Sequence, residues 1–459
     1  MNVERDFDVV VGGAGGAGTA AALAAAGQGL SVLLLDHLSA FRRGCNTYMS
    51  TSMIPAAGTR WQRAAGIDDS PPVFYADIMR KTKGAAYPVL AEALTAVGSE
   101  LVEWLADEQD LPLELATDFD YPGHSRQRCH TLPSRSGHVL HGHLMLRVDA
   151  ASAITVAAPM ELRSVALDNG AVSAATVSTP DGAEEVVRTG AVVLATGGFA
   201  ADPELVRTLI PEIAGALYFG SEGCTGDGLR IGRALHADTG YLDSYQGHGS
   251  VATPHGVMVT WAAVMHGGVL VNAAGRRFGD ETTGYSEYAR EVMKQPAGVA
   301  WVVIDERIDG LCRPFADYAD LVAQGGIDWC EDVAGAAARI GCPPAGLEET
   351  LDTAERARLQ TEPDAFDRKL WEAPLTAPYG IIKVTGALFH TQGGLLTDSG
   401  GAVLKESVPI PGLYAAGGAA AGISGHGPDG YLAGNGLLAA LGLGYLAGRA
   451  VSRSLLRTA

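Results

Sequence analysis

A chain of 459 residues with 47% hydrophobic and 19% charged residues has the balance of a globular protein with a large core, which excludes a disordered polymer. Its formal charge of −19, without any Lys/Arg-rich run, argues against nucleic acid or an anionic membrane as the main partner. The 60 glycines exceed the usual share of about 7% and gather at turns, and no repeat of solenoid period is visible.

In chain order, Phe7-Asp8-Val9-Val10-Val11 is a β-rich apolar run that feeds Gly13-Ala14-Gly15-Gly16-Ala17-Gly18. Residues 19–26 form an alanine-rich helix, and residues 30–35 a second strand ending in Asp36. This β–turn–α–β unit is the context that a dinucleotide fingerprint requires, although a plain βα turn uses similar residues. Its glycines permit a tight turn and bring backbone N–H groups and the helix dipole to a pyrophosphate. Asp36 stands where a carboxylate meets ribose hydroxyls, about twenty residues on.

Between residues 101 and 190, turn signals at Pro122-Gly123 and Pro180-Asp181-Gly182 separate helix- and hairpin-like segments. His138, His141 and His143 have metal-like spacing, but neither a cysteine nor an adjacent carboxylate joins them, and no metal is expected. A strand at 191–195 ends in Thr196-Gly197-Gly198-Phe199, and Thr225-Gly226-Asp227-Gly228 opens another helix. Mixed strands and charged helices then read as an inserted α+β domain over 236–384, flanked by the two parts, 1–235 and 385–459, of a split dinucleotide domain. The return runs through His390-Thr391-Gln392-Gly393-Gly394 to Pro411-Gly412-Leu413-Tyr414-Ala415-Ala416-Gly417-Gly418.

The final segment, Gly430-Tyr431-Leu432-Ala433-Gly434-Asn435-Gly436 onward, is free of charge from 432 to 448 and approaches membrane-spanning length. Its small residues and Asn435 fit a buried helix under a cofactor better. The six cysteines (Cys45, Cys129, Cys224, Cys312, Cys330, Cys342) form no C-x-x-C pair and read as reduced, cytosolic thiols. The N-terminus lacks a signal-peptide layout, so a cytoplasmic location is expected.

Together, GGAGGAG, ATGGF, TGDG, GGVLVN, GRRFGDE, FHTQGG and PGLYAAGG resemble the fumarate-reductase/succinate-dehydrogenase flavoprotein superfamily over nearly the whole chain. The resemblance implies an α/β, Rossmann-like FAD-binding domain of glutathione-reductase type, an inserted α+β capping domain, and an active site between cap and flavin. It implies cofactor contacts from Gly13, Gly15, Gly16, Ala17, Gly18 and Asp36, from Asn46 and Thr47, from Thr196, Gly197 and Asp227, and from Gly418, Asn435, Gly436 and Leu437. The last three begin a helix whose positive end would stabilise an anionic reduced flavin. The histidine that attaches flavin in succinate dehydrogenases is missing from Gly44-Cys45-Asn46-Thr47-Tyr48, so FAD is expected to be non-covalent.

Dicarboxylate reductases place arginines at three points. Here Tyr285 stands four residues after Glu281, Gly430 ends the His426-Gly427-Pro428-Asp429-Gly430 run, and Arg307 fills the third point only with a shift. Buried carboxylates need bidentate cations, which disfavours a fumarate-like dianion. The pattern is closer to 3-ketosteroid dehydrogenases, through Glu281-Thr282-Thr283-Gly284-Tyr285 and, more weakly, Asp120-Tyr121-Pro122.

The resulting expectation is oxidation or reduction of a C–C bond beside a carbonyl. Tyr285 would act as acid/base, relayed by Tyr121, with His426 and the Gly430 amide as the carbonyl clamp. A phenol with a pKa near 10 needs a lowered pKa or a relay to act as a base. His248, Glu281, His390 and Tyr431 are expected in the substrate pocket. Electrons would pass to or from an external carrier, because no second nucleotide fingerprint is present. A dicarboxylate or unsaturated-acid reductase, a flavin monooxygenase and a non-enzymatic flavin-binding protein are the alternatives.

Overall fold

The computed structural model describes residues 5–118 and 120–456; residues 1–4, where no signal sequence is expected, lie outside them. Strand β1 (Phe7–Gly12), helix α1 (Gly16–Ala26) and strand β2 (Val32–Leu35) form the expected opening unit. Val9–Val11 are fully buried because β1 is flanked on both sides by parallel strands, which favours a continuous apolar run over alternation. Helix α2 (Pro71–Lys81) starts on two prolines and ends on Arg80 and Lys81, matching the needs of a first and a last helical turn. Helix α3 (Gly137–Ala150) and strand β3 (Ile154–Ala157) complete that side.

Strands β4 (Glu161–Asp168), β5 (Ala171–Ser178) and β6 (Glu184–Leu194) form an antiparallel meander. The second half of β6 leaves it to pair in parallel with β1. Helix α4 (Asp227–Ala234) follows the Thr225-Gly226 turn.

A second sheet contains β7 (Tyr245–Ala252), β8 (Val269–Val271), β9 (Val299–Asp305) and β10 (Tyr379–Thr391), in the spatial order β7-β10-β9-β8, with helix α5 (Tyr285–Met293) packed on it. Both faces of this sheet are buried. Ala300, Val302 and Ile304 of β9 enter one core with Ile382 and Val384, whereas Trp301 and Val303 enter another with Ile381. The expected boundary between 384 and 385 falls inside β10. That strand stays paired from Tyr379 to Thr391 and carries Phe389, His390 and Thr391 back to the first sheet.

Strands β11 (Ala402–Lys405) and β12 (Val408–Ala415) then close the first sheet in the order β11-β12-β6-β1-β2-β3, parallel from β12 to β3. Register sets Leu194 beside both Gly12 and Ala415, with Leu35 on the other side of Gly12. The three glycine turns and Asp36 therefore leave the same sheet edge, at the carboxyl ends of parallel strands where α/β proteins bind ligands.

The charge-free segment continues into helix α6 (Leu443–Leu456), which lies against α1. A Cβ on Gly444 would sit 2.3 Å from the Ala17 carbonyl oxygen, and one on Gly448 2.5 Å from that of Ala21. Small residues on both helices let the backbones close together, which explains the composition. No helix among the described residues is long and apolar enough to cross a membrane.

Candidate active site

One continuous cleft receives all three turns. Gly13 has φ +107°, and a Cβ there would lie 2.2 Å from the Ala195 carbonyl oxygen, so the first turn packs directly on the end of β6. A Cβ on Gly18 would lie 1.7 Å from the Gly13 carbonyl oxygen. Gly15 differs: its φ of −73° suits any residue, and a Cβ would meet nothing nearer than the Cys45 Cβ at 3.6 Å. It keeps open cleft space that a side chain would fill.

The Gly16 N–H donates to Thr47 Oγ1 at 3.0 Å, and Ala17 lines the cleft beside it. Asp36 lines the cleft while accepting from the Ala14 and Leu38 amides, both at 2.9 Å, so its carboxylate also braces the turn. Asn46 Oδ1 accepts from the Ser221 amide at 2.7 Å and fixes the loop on the opposite wall. Thr196 Oγ1 accepts from the Gly228 amide at 2.9 Å, tying Thr196 and Gly197 to the start of α4 beside Asp227. A Cβ on Gly418 would lie 2.5 Å from the Gly198 nitrogen, so the third turn packs on the second.

Gly436 and Leu437 line the cleft at the start of the last helical run. Asn435 between them and Gly434 is fully buried, with neither amide atom hydrogen-bonded. It does not itself line the cleft. The space over Gly15 fits a bound dinucleotide.

At the far end, β7, β10, α5 and the Tyr431 loop enclose an aromatic chamber. The His248 ring lies between Tyr285 and Phe389, with centroids 5.1 and 5.2 Å away, and meets Trp261 edge-on. Burial pushes the His248 pKa down to about 3, so the ring is neutral. Its Nδ1 accepts from the Ser250 amide at 3.2 Å, leaving the hydrogen on Nε2.

His390 is buried as well. Burial lowers its pKa to about 4, and its Nδ1 lies 3.0 Å from Gln392 Nε2. Its Nδ1 also lies 3.3 Å from the Thr391 carbonyl oxygen, and Ser424 Oγ lies 3.1 Å from Gln392 Oε1. Tyr431 Oη accepts from the Gly436 amide at 3.1 Å and retains its own proton for donation.

Tyr285, the first residue of α5, lines the chamber and its hydroxyl has no hydrogen-bond partner among the described residues. Burial raises its pKa well above the ordinary phenol value, so it rests as an acid; the lowered pKa a resting base would need is not found. Tyr121 also lines the chamber and accepts from Arg135 Nη1 at 3.0 Å, while Arg135 pairs with Asp118 at 2.6 Å.

Three expectations need correction. His426 is 61% exposed and its Nδ1 lies 2.8 Å from Asp243 Oδ1, because the glycine turns at Gly425 (φ +67°) and Gly427 (φ +59°) carry it outward. Gly430 is pressed against Ser424 and Thr82, where a Cβ would lie 2.1 Å from the Ser424 carbonyl oxygen. Neither lines the cleft, so the His426/Gly430 clamp does not assemble. Glu281 is fully buried between Arg277 at 2.7 Å and Arg368 at 3.2 Å, away from the cleft wall; it anchors the segment before Tyr285 and is not a substrate contact.

Arg307 pairs with Glu372 and the His266 carbonyl, also outside the cleft. The histidine trio diverges: His141 meets the Ala14 carbonyl, His143 the Gln109 carbonyl, and His138 stacks on Tyr48. No metal-binding cluster occurs among the described residues. Sequence reasoning missed Phe389, Trp261, Phe315 and Gln392. Phe389 and Gln392 were within reach, as both lie in the FHTQGG run; Trp261 and Phe315 lie just before short helices in no motif and meet the cleft only in the folded chain.

No arginine or lysine lines the cleft among the described residues. Fold and cleft together define a dinucleotide-binding enzyme of the flavoprotein type. The NADH:fumarate oxidoreductase of Klebsiella pneumoniae (strain 342) is 28% identical over 92% of this chain, which spans 45% of that protein's length. The fumarate reductase (cytochrome) of Shewanella frigidimarina is 29% identical over 97% of this chain and 77% of its own.

Among solved structures, the open conformation of a flavocytochrome c3 fumarate reductase has a TM-score of 0.79 at 25% identity, covering 99% of this chain and 79% of its own. The 3-ketosteroid-Δ4-(5α)-dehydrogenase of Rhodococcus jostii RHA1 shares the fold, with a TM-score of 0.76 at 24% identity over 98% of both chains. The sequence profile of the FAD binding domain family matches residues 8–437. The chain belongs to that family, and it is an FAD-dependent oxidoreductase of the fumarate reductase superfamily.

Proposed function

We propose that this enzyme reduces, or in reverse forms, the C=C bond of a neutral, flat α,β-unsaturated carbonyl compound such as a cyclic enone or ketosteroid. The observation that carries this reading is a chamber walled by aromatic rings and without a lining cation. A dianion buried there would lack the bidentate partners that offset its desolvation, whereas a planar apolar ring system gains from stacking and area burial. Bound FAD supplies the hydride exchange with the carbon chain.

The residues supply the rest. His248 is a neutral Nε2–H donor, and with the Tyr431 hydroxyl it offers hydrogen bonds to a carbonyl oxygen as it gains charge. Tyr285 holds the proton to be delivered beside the carbonyl, and its raised pKa supports the reductive direction. Tyr121, tied to Arg135, stands beside it as the link for reprotonation. An external carrier exchanges electrons with the enzyme, and the six free thiols favour a reducing, cytoplasmic setting.

The second reading, a dicarboxylate reductase, rests on the names of the relatives. The test is an anaerobic titration of the photoreduced holoprotein with 2-cyclohexenone, 4-androstene-3,17-dione, acrylate and fumarate, following flavin absorbance. Reoxidation by the neutral enones is expected. Reoxidation by fumarate alone would overturn the proposal in favour of the second reading.

A further inference from the structure

Tyr285 has stacking neighbours but no hydrogen bond to fix its hydroxyl, so its aim depends on how the start of α5 is held. That start is gripped from the other domain. Lys81, the last residue of α2, donates from Nζ to the Thr283 carbonyl at 2.7 Å and to Glu287 Oε1 at 2.5 Å. Thr283 and Glu287 lie two residues before and two residues after Tyr285, so one ammonium spans the turn that presents the tyrosine.

The pair is sheltered, with side-chain exposures of 13% and 11%. The other Glu287 oxygen is buried without a partner, which leaves Lys81 as the cation bonded to that carboxylate. A further tie, Arg290 to Asp429 at 2.8 Å, sits one turn on but is far more exposed and correspondingly weak.

We propose that Lys81 is a positioning residue for the acid/base step: it fixes the Tyr285 turn of the cap against the FAD-binding domain. This rests on the reading of Tyr285 as proton donor. Losing Lys81 would leave a buried carboxylate unpaired and let the turn drift, and a misplacement of about 1 Å at a reacting group can cost on the order of 100-fold in rate.

The test compares Lys81→Met, Lys81→Arg, Tyr285→Phe and the Lys81→Met/Tyr285→Phe double variant as holoproteins. Turnover of 2-cyclohexenone is driven by reduced methyl viologen, with flavin content checked by absorbance. Lys81→Met is expected to lose 10- to 100-fold in kcat with little change in KM and unchanged flavin content, and Lys81→Arg to recover most of it. In the Tyr285→Phe background Lys81→Met should cost nothing more. An equal further loss there, or full turnover by Lys81→Met, would overturn the proposal.

If Tyr285→Phe itself keeps full turnover, the proton-donor reading fails instead. Hydrogen exchange separates the two without needing any substrate. Lys81→Met should speed exchange over residues 283–290 and not in α1, and unchanged exchange there refutes the hold that Lys81 is assigned.

Discussion

His248 and Tyr285 lie nearly face to face, with ring centroids 5.1 Å apart and planes 23° apart. One comes from the cap's β7 and the other from the first residue of α5. Packing them together removes water from both, and the consequences run in opposite directions: the imidazole loses its positive form and the phenol keeps its proton. The chamber thus combines a neutral donor with an acid and places no fixed charge on that wall. A carbonyl compound can be held and protonated there without a counter-ion being stranded.

Low pH should destabilise the fold through its buried histidines. Burial holds His248 at a pKa of about 3 and His390, His124 and His130 at about 4, against 6.5 for the free side chain. Their stabilisation is complete above pH 6.5 and is lost as pH falls, because only the unfolded chain takes up these protons. Each can contribute up to about 1.4 kcal/mol per pH unit. Melting curves of the holoprotein at descending pH should therefore fall between pH 6.5 and 4, and His390→Gln should flatten part of the slope. A melting temperature constant over that range would contradict the assigned neutral states.

Tyr285→Phe keeps the ring stack and removes the proton. We expect kcat for enone reduction to fall by about 100- to 10,000-fold, with flavin content and ligand affinity preserved. Because burial raises the phenol pKa, wild-type reduction should be insensitive to pH from neutrality to about pH 9, while the reverse dehydrogenation should speed up as pH rises. A reduction rate that falls through neutral pH would assign the proton to another group.

The glycines of the first turn separate by function. Gly18→Ala puts a methyl group into the Gly13 carbonyl and should prevent folding. Gly15→Val meets open cleft at a φ any residue accepts, so it should give a folded protein with little flavin. Flavin-to-protein absorbance ratios beside circular dichroism read both outcomes. Acid precipitation of the wild type should release the flavin into solution, as expected for non-covalent binding; colour kept in the pellet would show a covalent link.

These glycine roles were legible in the chain because a turn's needs are local: Gly13 and Gly18 answer to atoms within a few residues or on the adjoining strand. The same holds for the small residues of 432–448, although their partner α1 lies at the other end of the sequence. Spacing alone could not reveal direction. His426 and Gly430 have the separation expected of a clamp, yet two glycine turns swing one to the surface and close packing shuts the other away. Nor could it reveal the His248 tautomer, which the Ser250 amide sets only once the chain between them is folded. The boundary expected at 384 falls within β10, whose composition does not change midway.

Glu281 tests the difference between a pocket residue and an anchor. Its spacing from Tyr285 drew attention, and its partner Arg277, four residues earlier, was visible in the GRRFGDE run, but Arg368 comes from far along the chain. Both arginines are buried with it, and its backbone carbonyl also accepts from the Trp261 indole at the chamber wall. Removing one member of such a network leaves buried charge uncompensated, at a cost of about 3–5 kcal/mol. Glu281→Ala should therefore lower the melting temperature sharply. Because Glu281 does not line the cleft, the folded fraction at low temperature should bind enone with near-normal affinity. The converse result, normal stability with lost affinity, would return Glu281 to the substrate pocket.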